Sequence, residues 1–486
     1  MSIGRRDFFL GALGSLSALA AAQALAKGGK RPNFVFILAD DMGWGDPTVF
    51  NPQSGAATPN IDGLAKQGMR FTDMHSSSAV CTPSRYSILT GRYCWRSELK
   101  KGVTGGFDPS LIEKDRLTVA GMLKRAGYYT AGVGKWHLGL GDTKPVDFAR
   151  PFHPAPTDHG FDYYFGIPAS LDIPPYLYFE NDRALAAPTA RTEGRKEGGV
   201  FWRAGEMAPG FDFPAVVPTL TDKAVQVLDD RARAPGQPFF LYFPLPSPHT
   251  PWLPTDEFKG SSQAGLYGDY VRETDAMVGR VLDALERNGQ AENTVVVFTS
   301  DNGAHWKPED QRQYPNHKAN GDWRGMKADV WEGGHRIPFV IRWPGQVAPG
   351  SVSSETASLT DFMATAAAIA GATLPDDAAE DSFDLTPALH RTNRKPIRSS
   401  IIDHSIDGMF TIREGDWKLE LGLGSGGFSH PARIAPVPGG PQGQLYNLAS
   451  DPGEQTNLWS ARPEIVARLT GLLKAQQDAG RTRPRT

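Results

Sequence analysis

Cysteine is scarce in this chain: Cys81 and Cys94 are the only two in 486 residues. A disulfide-stapled scaffold is excluded, and even one bridge between them is disfavoured. If the intervening segment is mostly helical, their Cα atoms stand roughly 15 to 20 Å apart, beyond the ~7 Å that a disulfide tolerates. Cys94, in Tyr93-Cys94-Trp95-Arg96, reads as a buried thiol without chemistry. Positive charge is not in excess either. The 51 Lys and Arg face 54 Asp and Glu, for a formal net charge of -3, so the balance does not point to nucleic acid. Internal repeats and low-complexity tracts are lacking, which excludes solenoids and arrays. What is present is 40% hydrophobic residues over a length that allows one large domain and a smaller one. The 53 Gly and 39 Pro predict a loop-rich chain.

The first residues read as an address rather than as part of the fold. Arg5-Arg6-Asp7-Phe8-Phe9-Leu10 precedes an apolar, alanine-rich stretch that ends in Ala24-Leu25-Ala26. Residues 1–26 resemble a twin-arginine export signal with a small-residue cleavage site, giving a mature start near Lys27. A retained membrane anchor is the competing reading, but the stretch is only marginally long, and its Gly and Ala make it weakly hydrophobic for a span. The resemblance implies the twin-arginine export machinery as a partner and a periplasmic or secreted destination.

Two apolar runs end in acidic or amide residues. Asn33-Phe34-Val35-Phe36-Ile37-Leu38-Ala39 reads as a strand buried on both faces and runs into Asp40-Asp41. Adjacent carboxylates at the carboxyl end of a buried strand repel one another unless a positive group sits between them, and that end is where open α/β sheets place ligands. Thr294-Val295-Val296-Val297-Phe298-Thr299 repeats the pattern and runs through Ser300 into Asp301-Asn302-Gly303. Taken alone, Asp-Asn-Gly is a tight turn. Beside Asp40 and Asp41 it completes four oxygen ligands, a set that suits Ca²⁺ or Mg²⁺ better than zinc.

Cys81-Thr82-Pro83-Ser84-Arg85 resembles the C-x-P-S-R site at which type I sulfatases have cysteine oxidised to formylglycine. Further matches follow in family order: Thr58-Pro59-Asn60-Ile61-Asp62, Leu89-Thr90-Gly91-Arg92, Gly134-Lys135-Trp136-His137-Leu138-Gly139, His159-Gly160-Phe161-Asp162, Pro248-His249-Thr250-Pro251, Arg324-Gly325-Met326-Lys327 and Trp331-Glu332-Gly333-Gly334. On these motifs the chain is similar to the formylglycine-dependent sulfatases of the alkaline-phosphatase-like superfamily. In layout it is nearest to bacterial polysaccharide sulfatases and to the N-acetylgalactosamine-6-sulfatase and arylsulfatase A type. The implied fold is α/β, a large mixed sheet flanked by helices with a smaller C-terminal antiparallel-sheet subdomain.

The resemblance assigns metal binding to Asp40, Asp41, Asp301, Asn302 and the formylglycine made from Cys81, with Ca²⁺ as the ion and Mg²⁺ as the substitute. It places Arg85 and Lys135 beside the hydrated aldehyde, lets Lys327 and His249 grip the sulfate and protonate the departing alcohol, and gives His137 the return step. Arg85 lies about one turn after Cys81, so a helix starting near Pro83 puts both at its amino end, where main-chain N–H groups favour an anion. A formylglycine-generating enzyme is implied as a maturation partner.

The expected organisation is a catalytic domain over residues 31–395 and an α+β subdomain over 396–486. Strands are expected at Phe239–Phe243 and Val295–Thr299. A helix is expected over Tyr270–Arg287, with Val271, Met277, Val278, Val281, Leu282 and Leu285 facing the core. Later come short runs at Phe410–Arg413, Trp417–Glu420, Gln444–Leu448 and Asp451–Glu454, then a helix over Pro463–Asp478. Leu171-Asp172-Ile173-Pro174-Pro175-Tyr176, His305-Trp306, Trp252 and Trp323 are candidates to line the substrate pocket, with Asp172, His305, Trp252 and Trp323 as binding residues. The expected substrate is a sulfate monoester on a carbohydrate, with 6-O-sulfated galactose or N-acetylgalactosamine as its form. Two alternatives stay open: a phosphonate monoester or phosphodiester hydrolase on the same framework, and a glycan-binding protein in which Cys81 is never oxidised.

Overall fold

Ten strands form one mixed sheet in the computed structural model, which describes residues 30–393 and 395–485; the export-signal reading of residues 1–26 lies outside them. In chain order the strands are β1 (Asn33–Asp40), β2 (Met69–Phe71), β3 (Tyr129–Lys135), β4 (Tyr163–Ile167), β5 (Phe179–Glu180), β6 (Arg183–Ala184), β7 (Phe239–Pro248), β8 (Thr294–Ser300), β9 (Phe339–Arg342) and β10 (Ser351–Ser353). Their spatial order is β10-β2-β9-β8-β1-β7-β3-β4-β5-β6. The central strand β1 pairs in parallel with β7 on one side and β8 on the other, and β7 pairs in parallel with β3. Asp40 lies opposite Pro248 and Ala39 opposite Ser300, so the three strands end at one level. This register brings together the segments that carry Asp40, His249 and Asp301.

Every residue of β1, β7 and β8 is buried, as expected for parallel strands covered on both faces. Phe34, Phe36 and Leu38 project into a core shared with helices α2 (Cys81–Thr90), α3 (Val119–Arg125) and α6 (Phe362–Ala370). Val35 and Ile37 project the other way, toward α1 (Pro59–Gln67), α4 (Val216–Ala232) and α5 (Gly265–Arg287). At roughly 1.5–3 kcal/mol for each fully buried large apolar side chain, these two layers hold the sheet ends in place.

Several spans differ from expectation. Helix α2 starts at Cys81 rather than near Pro83, because Pro needs no donor and is tolerated in the first turn as well as at its first position. Helix α5 starts at Gly265, five residues before the apolar spacing becomes legible, and Leu282 is only partly buried on it. Strand β7 continues past Phe243 to Pro248, held by its pairing with β1 where the apolar run has ended.

The second sheet is an antiparallel meander of β11 (Ile401–His404), β12 (Phe410–Glu414), β13 (Trp417–Glu420) and β14 (Gln444–Asn447). Helix α7 (Pro463–Asp478) packs Leu469 and Leu473 against Ile402, Ile412, Leu419 and Leu445. Tyr93 and Trp95 from the segment after α2 join that core and attach the small sheet to the large one.

Candidate active site

Five of the expected residues sit where main-chain geometry leaves no freedom. Asp40 closes β1, Lys135 closes β3, His249 follows β7, and Asp301 and Asn302 follow β8. Cys81 is the first residue of α2, whose preceding residue Val80 supplies no side-chain cap, so the first-turn amides are open to an anion. Asp41 (φ 64°) and His137 (φ 56°) adopt the left-handed conformation, which costs of order 1–3 kcal/mol and persists where the surroundings hold it. Asp41 is held because its amide donates to Asp301 Oδ1 at 3.2 Å, while the next amide, of Met42, donates to Ser300 Oγ at 2.9 Å.

Each carboxylate meets a cation. Lys135 Nζ lies 2.6 Å from Asp40 Oδ2, Lys327 Nζ lies 2.8 Å from the Asp41 carboxylate, and Arg85 donates through Nη2 to Asp301 Oδ2 at 2.8 Å. His249 Nδ1–H donates to the Thr250 carbonyl at 2.6 Å, leaving Nε2 facing Asp41 Oδ2 at 3.7 Å. His137 donates from Nε2 to the Thr104 carbonyl at 3.0 Å, and its Nδ1 is buried without a partner. Asp40, Asp41, Cys81 and His249 each bring a ligand-capable atom within 4.8 Å of the others. The structure therefore gathers Asp40, Asp41, Cys81, Arg85, Lys135, His137, His249, Asp301, Asn302 and Lys327 into one buried cluster.

The electrostatics follow from burial in mixed charge. Burial pushes the Asp40 and Asp41 carboxyls up, but Lys135, His249, Arg85 and Lys327 around Asp40, and Lys327 and His249 beside Asp41, overcome it and hold both below the ordinary carboxylate range. Asp301 goes the other way: burial and the neighbouring Asp40 charge push it up to about 6, although Arg85 offsets part of the rise. Burial and the Lys135 and Arg85 charges keep His137 well below its usual value, so its imidazole is neutral. Burial pushes the Cys81 thiol up to about 12, a poor nucleophile as it stands. The oxygens of Asp40 (Oδ1) and Asn302 (Oδ1) are buried with no hydrogen-bond partner. Three crowded carboxylates with spare oxygen atoms fit a hard divalent cation.

The candidate pocket residues divide. His305 is half-buried next to the cluster, where burial and Lys327 lower its imidazole to about 3, and its ring lies 5.2 Å from Phe428 of the small subdomain. Trp252 stands three residues after His249 and packs on Tyr267 at 5.2 Å. Asp172 is tied to Arg203 at 2.6 Å. Trp323 spends its faces elsewhere, on Trp44 and under the Arg336 guanidinium 4.0 Å away.

A supporting layer was not read from the sequence. Asp46 accepts from the Gly43 amide at 2.6 Å and from Tyr267 Oη at 2.5 Å, and pairs with His317 Nε2 at 3.0 Å. These contacts brace the loop leaving Asp41. Its signal was present in Gly43-Trp44-Gly45-Asp46, since a Cβ on Gly43 would stand 2.1 Å from the Ala319 carbonyl oxygen.

The model of the family described as Sulfatase matches residues 32–372. The chain belongs to the sulfatase family. This sulfatase is 31% identical to the N-acetylgalactosamine-6-O-sulfatase of Bacteroides thetaiotaomicron, over 92% of this chain and 93% of that one. It is 36% identical to human arylsulfatase A, over 96% and 92%. Among solved structures, a Bacteroides thetaiotaomicron sulfatase from work on glycosaminoglycan metabolism superposes with a TM-score of 0.82 at 31% identity, covering 92% of this chain and 99% of that one. A sulfatase from Pseudoalteromonas sp. superposes with 0.75 at 27% identity, covering 97% and 95%. The sulfatase here is thus a sulfuric ester hydrolase with the alkaline-phosphatase-like fold.

Proposed function

We propose that this sulfatase removes sulfate from a carbohydrate monoester through a formylglycine made from Cys81, with Ca²⁺, or Mg²⁺ in its place, held by Asp40, Asp41, Asp301, Asn302 and residue 81. The observation that carries this reading is the setting of Cys81. A thiol raised to about 12 by burial is idle at neutral pH, yet it stands at an open helix start within a cluster of three cations. Conversion to the aldehyde hydrate supplies a hydroxyl nucleophile and a second hydroxyl through which sulfate is later released. The bound ion supplies Lewis-acid polarisation of a sulfate oxygen.

The chain's own groups do the rest. Arg85, Lys135 and Lys327 hold the anionic ester and oppose charge growing on its oxygens. His249 is oriented by the Thr250 carbonyl so that Nε2 points into the cluster, and with Lys327 it protonates the departing alcohol. Neutral His137 keeps an unpartnered Nδ1 that can take a proton during release. The names of the N-acetylgalactosamine-6-sulfatase relatives favour a 6-O-sulfated galactose or N-acetylgalactosamine substrate. His305 and Trp252 beside the cluster support a sugar-binding mouth. Export by the twin-arginine route to the periplasm or beyond, after modification by a formylglycine-generating enzyme, completes the reading.

Peptide mass spectrometry of the Cys81 fragment, from protein co-expressed with a formylglycine-generating enzyme, tests the nucleophile. Turnover of an aryl sulfate and of 6-O-sulfated N-acetylgalactosamine tests the substrate. Aldehyde at residue 81 with sulfate release is expected. Aldehyde without sulfate turnover, but with phosphonate or phosphodiester cleavage, would overturn the substrate assignment.

A further inference from the structure

A second cluster of ligand-capable side chains, sharing no residue with the catalytic one, lies where the small sheet meets the large body. His75 sits on the short strand Met74–His75, His335 on the helical turn Glu332–His335, and Asp403 on β11. All three are buried, at 0%, 2% and 2% exposure. His75 Nδ1 and His335 Nδ1 are 2.9 Å apart, Asp403 Oδ2 is 3.7 Å from His335 Nδ1, and the three ligand atoms lie within 4.8 Å of one another. Asp403 Oδ1 is buried with no hydrogen-bond partner. We propose that His75 Nδ1, His335 Nδ1 and the Asp403 carboxylate form a second, non-catalytic site for a borderline divalent cation of the zinc class, joining the small sheet to the catalytic body.

Three independent features support the ligand set. First, His75 Nε2 lies 2.9 Å from Asp73 Oδ1, so a donated N–H on that side directs the lone pair of Nδ1 at the other two ligands. A carboxylate behind the imidazole is the usual arrangement behind a metal-bound histidine. Arg413 stands 3.4 Å from the same nitrogen, but donates to Asp73 at 2.8 Å. Second, His335 Nε2 has both a donor and an acceptor in reach, Lys418 Nζ at 3.1 Å and the Val330 carbonyl at 3.2 Å. With Lys418 donating to Nε2 the ring carries its proton on Nδ1, donated to His75; with Lys418 held by Glu454 and Glu332 alone the proton moves to Nε2, donated to Val330, which frees Nδ1 for an ion. Third, carboxylates outnumber cations at the junction. Buried Asp73, Glu332, Asp403, Glu420 and Glu454 face the buried Arg336 and Lys418 and the half-buried Arg413, with Arg324, also half-buried, against the Trp331 ring and the Glu454 carbonyl. Two imidazoles and one carboxylate suit zinc, cobalt or nickel rather than calcium. Binding moves the His335 proton from Nδ1 to Nε2.

This inference does not depend on the substrate or nucleophile of the other site. The test is a Co²⁺ titration of the full-length, chelator-stripped protein in excess Ca²⁺, read by visible absorption and followed by Zn²⁺ displacement and elemental analysis. One equivalent of Co²⁺ with nitrogen-ligand bands, displaced by one of Zn²⁺, is expected, and it should survive in Asp301→Ala. Asp403→Asn and His75→Gln should weaken it more than about 100-fold, and Asp73→Asn by about 10- to 100-fold. X-ray absorption of the zinc-loaded wild type should show two imidazoles, a readout that needs no variant to fold. Absence of a tightly held ion in the wild type, its loss in Asp301→Ala, or its persistence unchanged in Asp403→Asn and His75→Gln would each overturn the proposal.

Discussion

The catalytic cluster and the junction between the two sheets are made of the same residue types at the same depth, yet their charge sums differ. At the strand ends, Asp40, Asp41 and Asp301 are matched by Arg85, Lys135 and Lys327. A divalent ion added there leaves net positive charge, which an anionic ester satisfies. At the junction five buried carboxylates outnumber the buried Arg336 and Lys418 together with the half-buried Arg413 and Arg324, so an ion there is absorbed by its own ligands rather than left to draw in an anion. The backbone differs too: Asp41 and His137 are left-handed, whereas Asp403 and Lys418 sit on regular strands. A charge-balanced cluster with strained supports is built to receive something; an acid-rich one on regular elements is built to hold two parts together.

Substitutions can break this contrast, and the largest effect is expected at residue 81. Cys81→Ala should lower kcat/KM for an aryl sulfate by at least about 10³-fold, with the melting temperature almost unchanged, because a buried cysteine packs as a small hydrophobe. Wild-type kcat in that variant would sink the proposed nucleophile. Asp301→Ala should abolish turnover and calcium retention, and also cost roughly 3–5 kcal/mol in denaturant unfolding, since it strands the buried Arg85 charge. Retained calcium by elemental analysis would remove Asp301 from the ligand set. At the junction, Lys418→Met deprives Glu454, Glu332 and Glu420 of a cation lying 2.7, 3.1 and 3.6 Å from them. It should destabilise by a comparable ~3–5 kcal/mol while the folded fraction keeps its kcat. A kcat loss without destabilisation there would erase the distinction between the regions. The smallest effect is expected at the mouth: His305→Ala should raise KM a few-fold with kcat preserved on a sugar sulfate, the mark of uniform binding.

The strand ends were legible because β1 and β8 are apolar runs cut off by carboxylates, a local signal that burial on both faces enforces. The motif around Cys81 was legible for the same reason, being contiguous. The junction was not: Asp73, His75, Glu332, His335, Asp403, Lys418 and Glu454 come from segments up to about 380 residues apart, and none shows a periodicity that marks it as a partner. Glu332 belongs to a motif quoted for its family match, yet it pairs with Arg336 and Lys418 rather than with the catalytic groups. Trp323 illustrates the limit for aromatics, since composition cannot say whether a ring faces a sugar or a guanidinium.

The burial of Cys81, at 2% exposure, also sets an order of events. Its neighbours arrive from chain positions 40 to 327, so the pocket closes only when non-local strand pairing is complete, a slow step in sheets of this kind. An enzyme that converts this thiol, as proposed, has the interval before that closure in which to reach it, and under that proposal maturation is a race against folding.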